Sequence, residues 1–234
     1  MRLSTIICLH LFSLSLLAQK KPLDLAILQN PLHDFSLPVY KGETFTLSQD
    51  SDKNTLLIFP RGYYAKNIWC DICPYQYFDM IDINEKYNLS EKYDLEIIFI
   101  LPYGEDTIKQ WLLDMPEVNE YLISPRKNGL TNPTDQQIRW LAYLNKYYPK
   151  DFNYKRGEVP EPFKILMDDK HELSERLEIF RTEWWGTEVN QNIPTVILLD
   201  KNKNVVFKYI SQYTLDRPDS DYLLKVFDAF ISKD

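Results

Sequence analysis

Four short, mainly apolar runs constrain the fold of this chain more than any other feature of its sequence. They lie at residues 55–59, 95–101, 163–167 and 195–199. Pro60 and Pro102 directly follow the first two, and runs of this length that end at turn-forming residues are typical of fully buried strands. Segments with helical spacing separate the runs. Strands that alternate with helices predict an α/β fold in which helices cover the faces of a sheet.

The spacing of apolar residues also predicts the helices and two hairpins. The helices are expected at residues 70–87, 107–115, 134–148, 170–179 and 221–231. The hairpins are expected from residues 35–38 with 42–47 and from residues 195–199 with 205–209. Residues 61–69 are predicted to form a loop. Residues 116–162 have the least regular pattern, apart from the helix expected within them.

Composition and charge limit the class of protein. With 44% hydrophobic and 26% charged residues in 234, the chain has the balance of a globular protein rather than a disordered one. Its formal net charge is −7, and no cluster of Lys and Arg stands out. Nucleic-acid binding needs a concentrated basic surface, so we expect no nucleic-acid partner.

The N-terminal residues resemble a secretory signal. Arg2 precedes an apolar run at residues 6–17, which is too short to span a bilayer but fits the hydrophobic part of a signal peptide. We predict residues 1–18 to be the signal, with cleavage after Ala18. Residues 19–234 would then form a single domain, exported to the periplasm or outside the cell. There are two alternatives: the segment remains as an uncleaved membrane anchor, or it forms a buried N-terminal strand. The uncleaved anchor is the only membrane contact that we expect.

Export leaves two cysteines, Cys70 and Cys73, in a C-x-x-C arrangement, because Cys8 lies within the signal. The pair follows a predicted strand and opens a predicted helix. Unpaired N–H groups and the dipole at a helix N-terminus favour a thiolate, which is the nucleophile of disulfide exchange. We therefore expect Cys70 to attack and Cys73 to resolve. Asp71, between them, should oppose formation of the thiolate.

Two other roles are open to the cysteine pair. A structural disulfide is one alternative, but so small a loop restricts the unfolded chain little. A zinc site needs two more ligands, and the mature chain offers only His33, His171 and carboxylates, none at ligand-like spacing. No metal is therefore expected, and redox chemistry is the favoured role.

The residues around the cysteines resemble a known superfamily. Trp69, Cys70 and Cys73 match the W-C-x-x-C active site of thioredoxins, and Ile193-Pro194-Thr195 is similar to that superfamily's cis-proline loop. Weaker matches extend over most of residues 35–230. The chain thus resembles the thioredoxin superfamily, specifically its peroxiredoxin-like branch (AhpC/TSA, or redoxin).

This resemblance implies a thioredoxin-like three-layer α/β fold, with a central mixed sheet and a partly helical insertion at about residues 105–161. It also implies a cis peptide before Pro194. The residues expected to bind substrate are Trp69, Ile193, Pro194 and Thr195. One departure concerns the peroxiredoxin motif P-x-x-x-T/S-x-x-C, because Tyr63 and Asn67 stand where its Pro and Thr or Ser would be. That departure favours dithiol–disulfide exchange over peroxide reduction.

The sequence therefore predicts an exported thiol–disulfide oxidoreductase acting on a disulfide-containing protein or a small thiol substrate. No nicotinamide or flavin motif is visible, so no cofactor is expected, and a separate protein or small thiol would donate the electrons. The first alternative is a thiol-dependent peroxidase that uses the same cysteines through a sulfenic acid. The second is a non-catalytic binding module with a structural disulfide, whose partner surface is the insertion.

Several other side chains are candidates for a functional role, and the sequence gives each an expected environment. Arg61 is expected either to attract a thiolate or substrate, or to form a surface salt bridge. Trp184 and Trp185 precede the Pro194 loop closely enough to border the site, where they would either touch substrate or pack, and packing is favoured. The aromatic residues of the helix at 134–148 should pack onto the sheet rather than line a groove. His171 is expected on a solvated helix face, without a role.

Overall fold

The computed structural model describes residues 25–232. The predicted signal and Cys8 lie outside the described residues. The strands are β1 (Ser36–Pro38), β2 (Thr44–Thr46), β3 (Asn54–Phe59), β4 (Tyr63–Ala65), β5 (Ile68–Trp69), β6 (Leu95–Leu101), β7 (Lys164–Met167), β8 (Phe180–Arg181), β9 (Gln191–Asn192), β10 (Thr195–Leu199) and β11 (Val205–Ile210). The helices are α1 (Leu47–Asp50), α2 (Ile72–Tyr87), α3 (Leu89–Lys92), α4 (Glu105–Asn128), α5 (Asp135–Tyr147), α6 (Glu172–Arg176) and α7 (Ser220–Phe230).

A five-stranded mixed sheet forms the centre of the molecule, in the order β11-β10-β3-β6-β7. β3 and β6 are parallel, as are β6 and β7, whereas β10 runs antiparallel to both β3 and β11. Successive side chains of β3 point to opposite faces, so that Leu56 and Ile58 join one apolar cluster and Leu57 and Phe59 the other. Both faces are therefore covered, and the predicted three-layer α/β fold is confirmed.

The two predicted hairpins form, as β1–β2 and β10–β11. The predicted loop at residues 61–69 is instead a small hairpin, β4–β5. A further short pair, β8–β9, was not predicted. The predicted helix at residues 170–179 is shortened to α6, because His171 before it and Glu178 after it take up left-handed conformations, with φ of 59° and 58°.

The insertion is more helical than its pattern suggests. The predicted helix at residues 107–115 does not end at Pro116 but continues as α4, with Pro116 and Pro125 inside it. Each proline removes a backbone hydrogen bond. Burial of Leu122 and Ile123 beyond the first proline offsets that loss. The second helix, α5, begins as predicted, at a capping box.

Within residues 25–232, no helix is both long and apolar enough to cross a membrane.

Candidate active site around Cys70 and Cys73

The two cysteines lie where β5 meets α2. The Cys70 amide donates to the Gly62 carbonyl oxygen at 2.8 Å, and the Cys73 amide lies 3.3 Å from the Cys70 carbonyl oxygen. Cys70 precedes the helix rather than opening it, because α2 begins at Ile72 and Asp71 is its N-terminal cap. Both thiols are free and buried, with Cys70 3% and Cys73 0% exposed. Cys73 is thus the deeper sulfur.

An aromatic cluster fixes the hairpin that leads into Cys70. Tyr63 and Trp69 stack with ring centroids 3.7 Å apart. The Tyr103 hydroxyl accepts a hydrogen bond from the Tyr63 amide and donates one to the Asn190 carbonyl oxygen, each at 2.9 Å. Gly62 has φ of +82°, and a Cβ there would overlap the Tyr103 ring. Only glycine fits this approach.

Arg217 supplies a positive charge to the pair. Its Nη2 lies 4.0 Å from Cys70 Sγ. Its Nη1 donates to the Asp216 carbonyl oxygen at 2.7 Å and to Ser211 Oγ at 3.2 Å. Sequence reasoning missed this residue. Arg217 stands in an ordinary Asp-Arg-Pro turn before α7, and no local pattern signals a contact with a residue 147 positions away.

Arg61 is the second cation at the site. It is only 3% exposed and donates through Nε to Gln191 Oε1 and through Nη2 to Thr187 Oγ1, both at 2.7 Å. Burial lowers the pKa of Arg61, whereas the charges of Cys70 and Cys73 raise it. The surface salt bridge considered from the sequence is therefore wrong, since the guanidinium is buried among neutral side chains.

The two tryptophans differ in their surroundings. Trp184 packs against the Arg61 guanidinium, 5.1 Å from the ring centroid. Trp185 remains 61% exposed, although its Nε1 donates to the Gln212 carbonyl oxygen at 3.0 Å. The predicted packing therefore holds for Trp184, while most of the Trp185 ring faces solvent.

The two thiols share a hydrogen bond that makes them unequal. The hydrogen bond to Cys73 and burial raise the pKa of Cys70 well above its usual value. Burial would also raise the pKa of Cys73, but the hydrogen bond from Cys70, the charge of Arg217 and the backbone of Gly62 and Arg61 lower it to about 6. The reduced pair therefore loses its first proton more readily than an ordinary thiol does, and its second less readily.

Asp71 acts against the thiolate, as predicted. Its charge contributes to raising the pKa of Cys70. Burial in turn raises the pKa of Asp71 itself, against the opposing effects of nearby backbone amides and of Arg217 and Arg61. The two arginines therefore stabilise both the carboxylate and the cysteine thiolate.

The segment around Pro194 runs past the same end of the sheet. The Asn192 amide donates to the Arg61 carbonyl oxygen at 3.2 Å, and Thr195 pairs with Phe59, the last residue of β3. Since Arg61 and Gly62 lead into the site, this segment borders the cysteine loop. The side-chain hydrogen bond of Thr195 lies within this segment, since its hydroxyl donates to the Ile193 carbonyl oxygen at 2.9 Å, and the Ile193 amide bonds to Ile179.

The cis peptide expected before Pro194 is wrong, because residues 25–232 contain no cis bond. The backbone is paired on both sides of the proline. The Ile193 amide donates to the Ile179 carbonyl oxygen at 2.7 Å, and the Ser211 amide donates to the Pro194 carbonyl oxygen at 2.9 Å. These bonds continue the extended course of the chain into β10, which the trans form accommodates.

Trp69, the other residue expected to contact substrate, is buried and fixed by the insertion. Its Nε1 donates to Asp114 Oδ2 in α4 at 3.1 Å. Asp114 also accepts from Arg156 Nη1 at 2.7 Å. The stack with Tyr63 covers one face of the indole. The structure therefore shows Trp69 as a link between the active-site hairpin and the insertion.

The remaining side chains singled out from the sequence have structural surroundings. His171 does not lie on a solvated face, because its ring stacks on Phe180 with centroids 3.9 Å apart. Among the described residues, no three His, Cys, Asp or Glu side chains form a group able to hold a metal ion. Trp140 and Tyr143 of α5 and Tyr148 at its C-terminal cap pack against the core, whereas Tyr147 is 43% exposed. The hydroxyls of Tyr143 and Tyr148 both donate to the Leu215 carbonyl oxygen.

Solved structures with a similar fold include a thiol peroxidase from Chromobacterium violaceum, at 13% identity and a TM-score of 0.53, covering 89% of this chain and 90% of that chain. AhpC of Mycobacterium tuberculosis matches at 16% identity and a TM-score of 0.52, covering 87% and 92%. AhpC of Enterococcus faecalis matches at 14% identity and a TM-score of 0.52, covering 86% and 90%. At these identities the likeness establishes the fold.

No match was found among curated proteins. A family model described as the AhpC/TSA family matches residues 28–208, which is well over half of the chain. This match confirms the resemblance drawn from the residues around Cys70. The protein belongs to the AhpC/TSA family, a family of thiol-dependent oxidoreductases.

Proposed function

We propose that this protein is a thiol peroxidase that reduces small hydroperoxides with Cys70 and resolves the oxidised sulfur with Cys73. The sequence alone favoured dithiol–disulfide exchange. Membership of the AhpC/TSA family and the burial of the cysteine pair both favour the peroxidase.

The burial of both sulfurs carries the proposal, since Cys70 is 3% and Cys73 0% exposed. Disulfide exchange with another protein needs the attacking sulfur to reach the substrate sulfur directly, so it depends on access. A hydroperoxide is far smaller and requires only a narrow opening. The reduced pair in this structure is therefore better suited to a small oxidant than to a protein disulfide.

Cys70 is the residue assigned to attack, because it is the shallower sulfur and lies beside Arg217. When Cys73 holds the remaining proton of the pair, the Cys70 thiolate lies 4.0 Å from Arg217 Nη2. The arginine charge stabilises that thiolate and the oxygen anion that leaves.

The reaction balances with one external reductant. The Cys70 thiolate attacks the terminal oxygen of the hydroperoxide; an S–O bond forms, the O–O bond breaks, and the departing oxygen anion takes up a proton. Cys70 is then a sulfenic acid. Cys73 attacks its sulfur, which forms the disulfide and releases water. A separate dithiol, protein or small molecule, returns two electrons and two protons by thiol–disulfide exchange.

Peroxide consumption by three forms of the protein tests this assignment, with dithiothreitol as reductant. The wild type should consume hydrogen peroxide, and Cys70→Ser should abolish consumption. Cys73→Ser should form one sulfenic acid per chain, trapped by dimedone at Cys70. An inert wild type would contradict the proposal. Sulfenic acid at Cys73 in the Cys70→Ser protein would reverse the two roles.

Dithiol–disulfide exchange is the second candidate, and one observation favours it. Asn67, at the position of the peroxiredoxin Thr or Ser, is exposed in the turn between β4 and β5 with φ of 58°. A hydroxyl group is therefore missing from the place where that family motif would provide one. Faster reduction of insulin than of hydrogen peroxide, at equal protein concentration, would favour exchange over the peroxidase.

We further propose that the chain is exported through residues 1–18 and works in the periplasm or outside the cell. The basic start and the apolar run at residues 6–17 support this proposal. Expression of the full chain in a secreting bacterial host should yield a soluble product that begins near Gln19. A product that retains Met1 in the cytosol would contradict it.

A further inference from the structure

The loop that carries Arg217 is held by the insertion. The Tyr148 hydroxyl, at the C-terminal cap of α5, donates to the Leu215 carbonyl oxygen at 2.8 Å. The Tyr143 hydroxyl, one turn earlier on that helix, donates to the same oxygen at 3.3 Å. Leu215 stands two residues before Arg217. Two tyrosines of the insertion are thus hydrogen-bonded to the backbone close to Arg217, which contacts Cys70.

Tyr148 is itself fixed from two sides. Its side chain is buried, and its ring meets the Tyr75 ring of α2 edge-on with centroids 5.0 Å apart. The Tyr75 hydroxyl accepts from the Lys150 amide at 3.1 Å, which ties the end of α5 to the helix that follows Cys70. The position of the Tyr148 hydroxyl is therefore set by the same helix that positions Cys73.

The side chain of Arg217 is not closely packed on every side. A cavity of about 40 Å³ adjoins it, lined in part by Gln76, Tyr148 and Leu215. Arg217 Nε and Gln76 Nε2 are buried and have no hydrogen-bond partner among the described residues. The position of the guanidinium therefore depends on its hydrogen bonds to Ser211 and Asp216 and its contact with Cys70 rather than on close packing.

We propose that Tyr148, assisted by Tyr143, is a positioning residue that holds Arg217 against Cys70, so that the insertion sets the reactivity of the cysteine pair. This role rests on the proposed function only in taking Cys70 and Cys73 as the reactive thiols. It gives the insertion a task within this chain, distinct from binding a partner. The charges of Arg61 and Asp71 also act on the pair, and tyrosine variants leave those side chains in place.

The test is the pH midpoint of cysteine alkylation by iodoacetamide, which needs no peroxide. Tyr148→Phe removes one hydroxyl and keeps the packed ring. It should raise the midpoint by at most about one pH unit, since the hydrogen bond acts only through Arg217. Tyr143→Phe, with the longer hydrogen bond, should give a smaller shift in the same direction. Tyr147→Phe on the same helix is the matched control and should give none.

A double-variant cycle separates positioning from a general structural effect. In an Arg217→Met background, Tyr148→Phe should produce no further shift of the midpoint. An equal shift in both backgrounds, or no shift in the wild-type background, would overturn the proposal. Should Tyr148→Phe fail to fold, Tyr143→Phe in both backgrounds decides the question. If the proposed peroxidase activity is wrong, the wild type will not consume hydrogen peroxide, but Tyr148→Phe will still shift the pH midpoint of alkylation.

Discussion

Replacement of Arg217 by Met tests the electrostatics of the site most sharply. Two unit charges 4.0 Å apart attract by about 4 kcal/mol at an effective dielectric constant of about 20. Arg217 is half-buried, so solvent screens part of this attraction. A discounted value of about 1.5–3 kcal/mol, typical of hydrogen bonds to charged groups, corresponds to about one to two pKa units.

The expected result is a marked loss of thiolate at neutral pH. The pKa of Cys73 is about 6 in the wild type. The 4.0 Å contact is with Cys70, so the range of about one to two pKa units is the upper limit for Cys73. Without the arginine the pKa of Cys73 should rise, and the thiolate fraction near neutral pH should fall from about nine-tenths, to about one-tenth at that limit. Ultraviolet absorbance of the thiolate, followed against pH, measures the change directly.

Arg139→Met is the matched control for this variant, because it removes the same charge from the exposed face of α5. Its midpoint should equal that of the wild type. Arg217→Lys should retain part of the effect, since it keeps the charge without the planar guanidinium. An Arg217→Met midpoint equal to that of the control would refute the assignment of Arg217 to the cysteine pair.

Three further predictions follow from the same contacts. Asp71→Asn should lower the pKa of Cys70, because it removes a nearby negative charge. In a Cys73→Ser background, where Cys70 is the remaining thiol of the pair, the pH midpoint of alkylation should therefore move to lower pH. Gly62→Ala should lower the thermal unfolding midpoint, because the added Cβ would overlap the Tyr103 ring at a position with positive φ. Gly129→Ala is the control: φ is positive there too, but a Cβ would contact nothing, so this variant measures the backbone effect alone. Folding lowers the pKa of Cys73 from 9.0 to about 6, so the stability that its thiolate contributes is present at high pH and lost as pH falls through about 6. The free energies of unfolding of the reduced wild type and of Cys73→Ser, measured with denaturant, should therefore diverge as pH rises from about 6 to 9.0. Parallel pH profiles for the two proteins would contradict this assignment.

The sheet was predictable because each of its strands is a mainly apolar run. β3, for example, is buried along its whole length, and its last four residues, 56–59, contain no polar face to confuse with a helix. The cysteine pair was predictable for a similar reason. Its chemistry depends on two residues close in sequence and on the strand and helix that flank them.

The rest of the site depends on contacts between distant parts of the chain. Arg217 contacts Cys70 from the loop before α7, which is hydrogen-bonded to Tyr143 and Tyr148, and nothing near Arg217 in the sequence indicates this contact. The β4–β5 hairpin is stabilised by the stack of Tyr63 on Trp69 within it and by the Tyr103 hydroxyl, which comes from a residue 40 positions away from Tyr63. Pro116 ends a helix by local preference, yet packing of the later turns of α4 overrides that preference.

Single-turnover oxidation of the reduced wild-type protein tests the central claim most directly. Reduced protein is mixed with one equivalent of hydrogen peroxide, and the products are identified by mass spectrometry. The account predicts a Cys70–Cys73 disulfide that forms faster than free cysteine reacts at equal thiolate concentration. Oxidation no faster than that of free cysteine, or a pair that oxidises only when the protein unfolds, would contradict it.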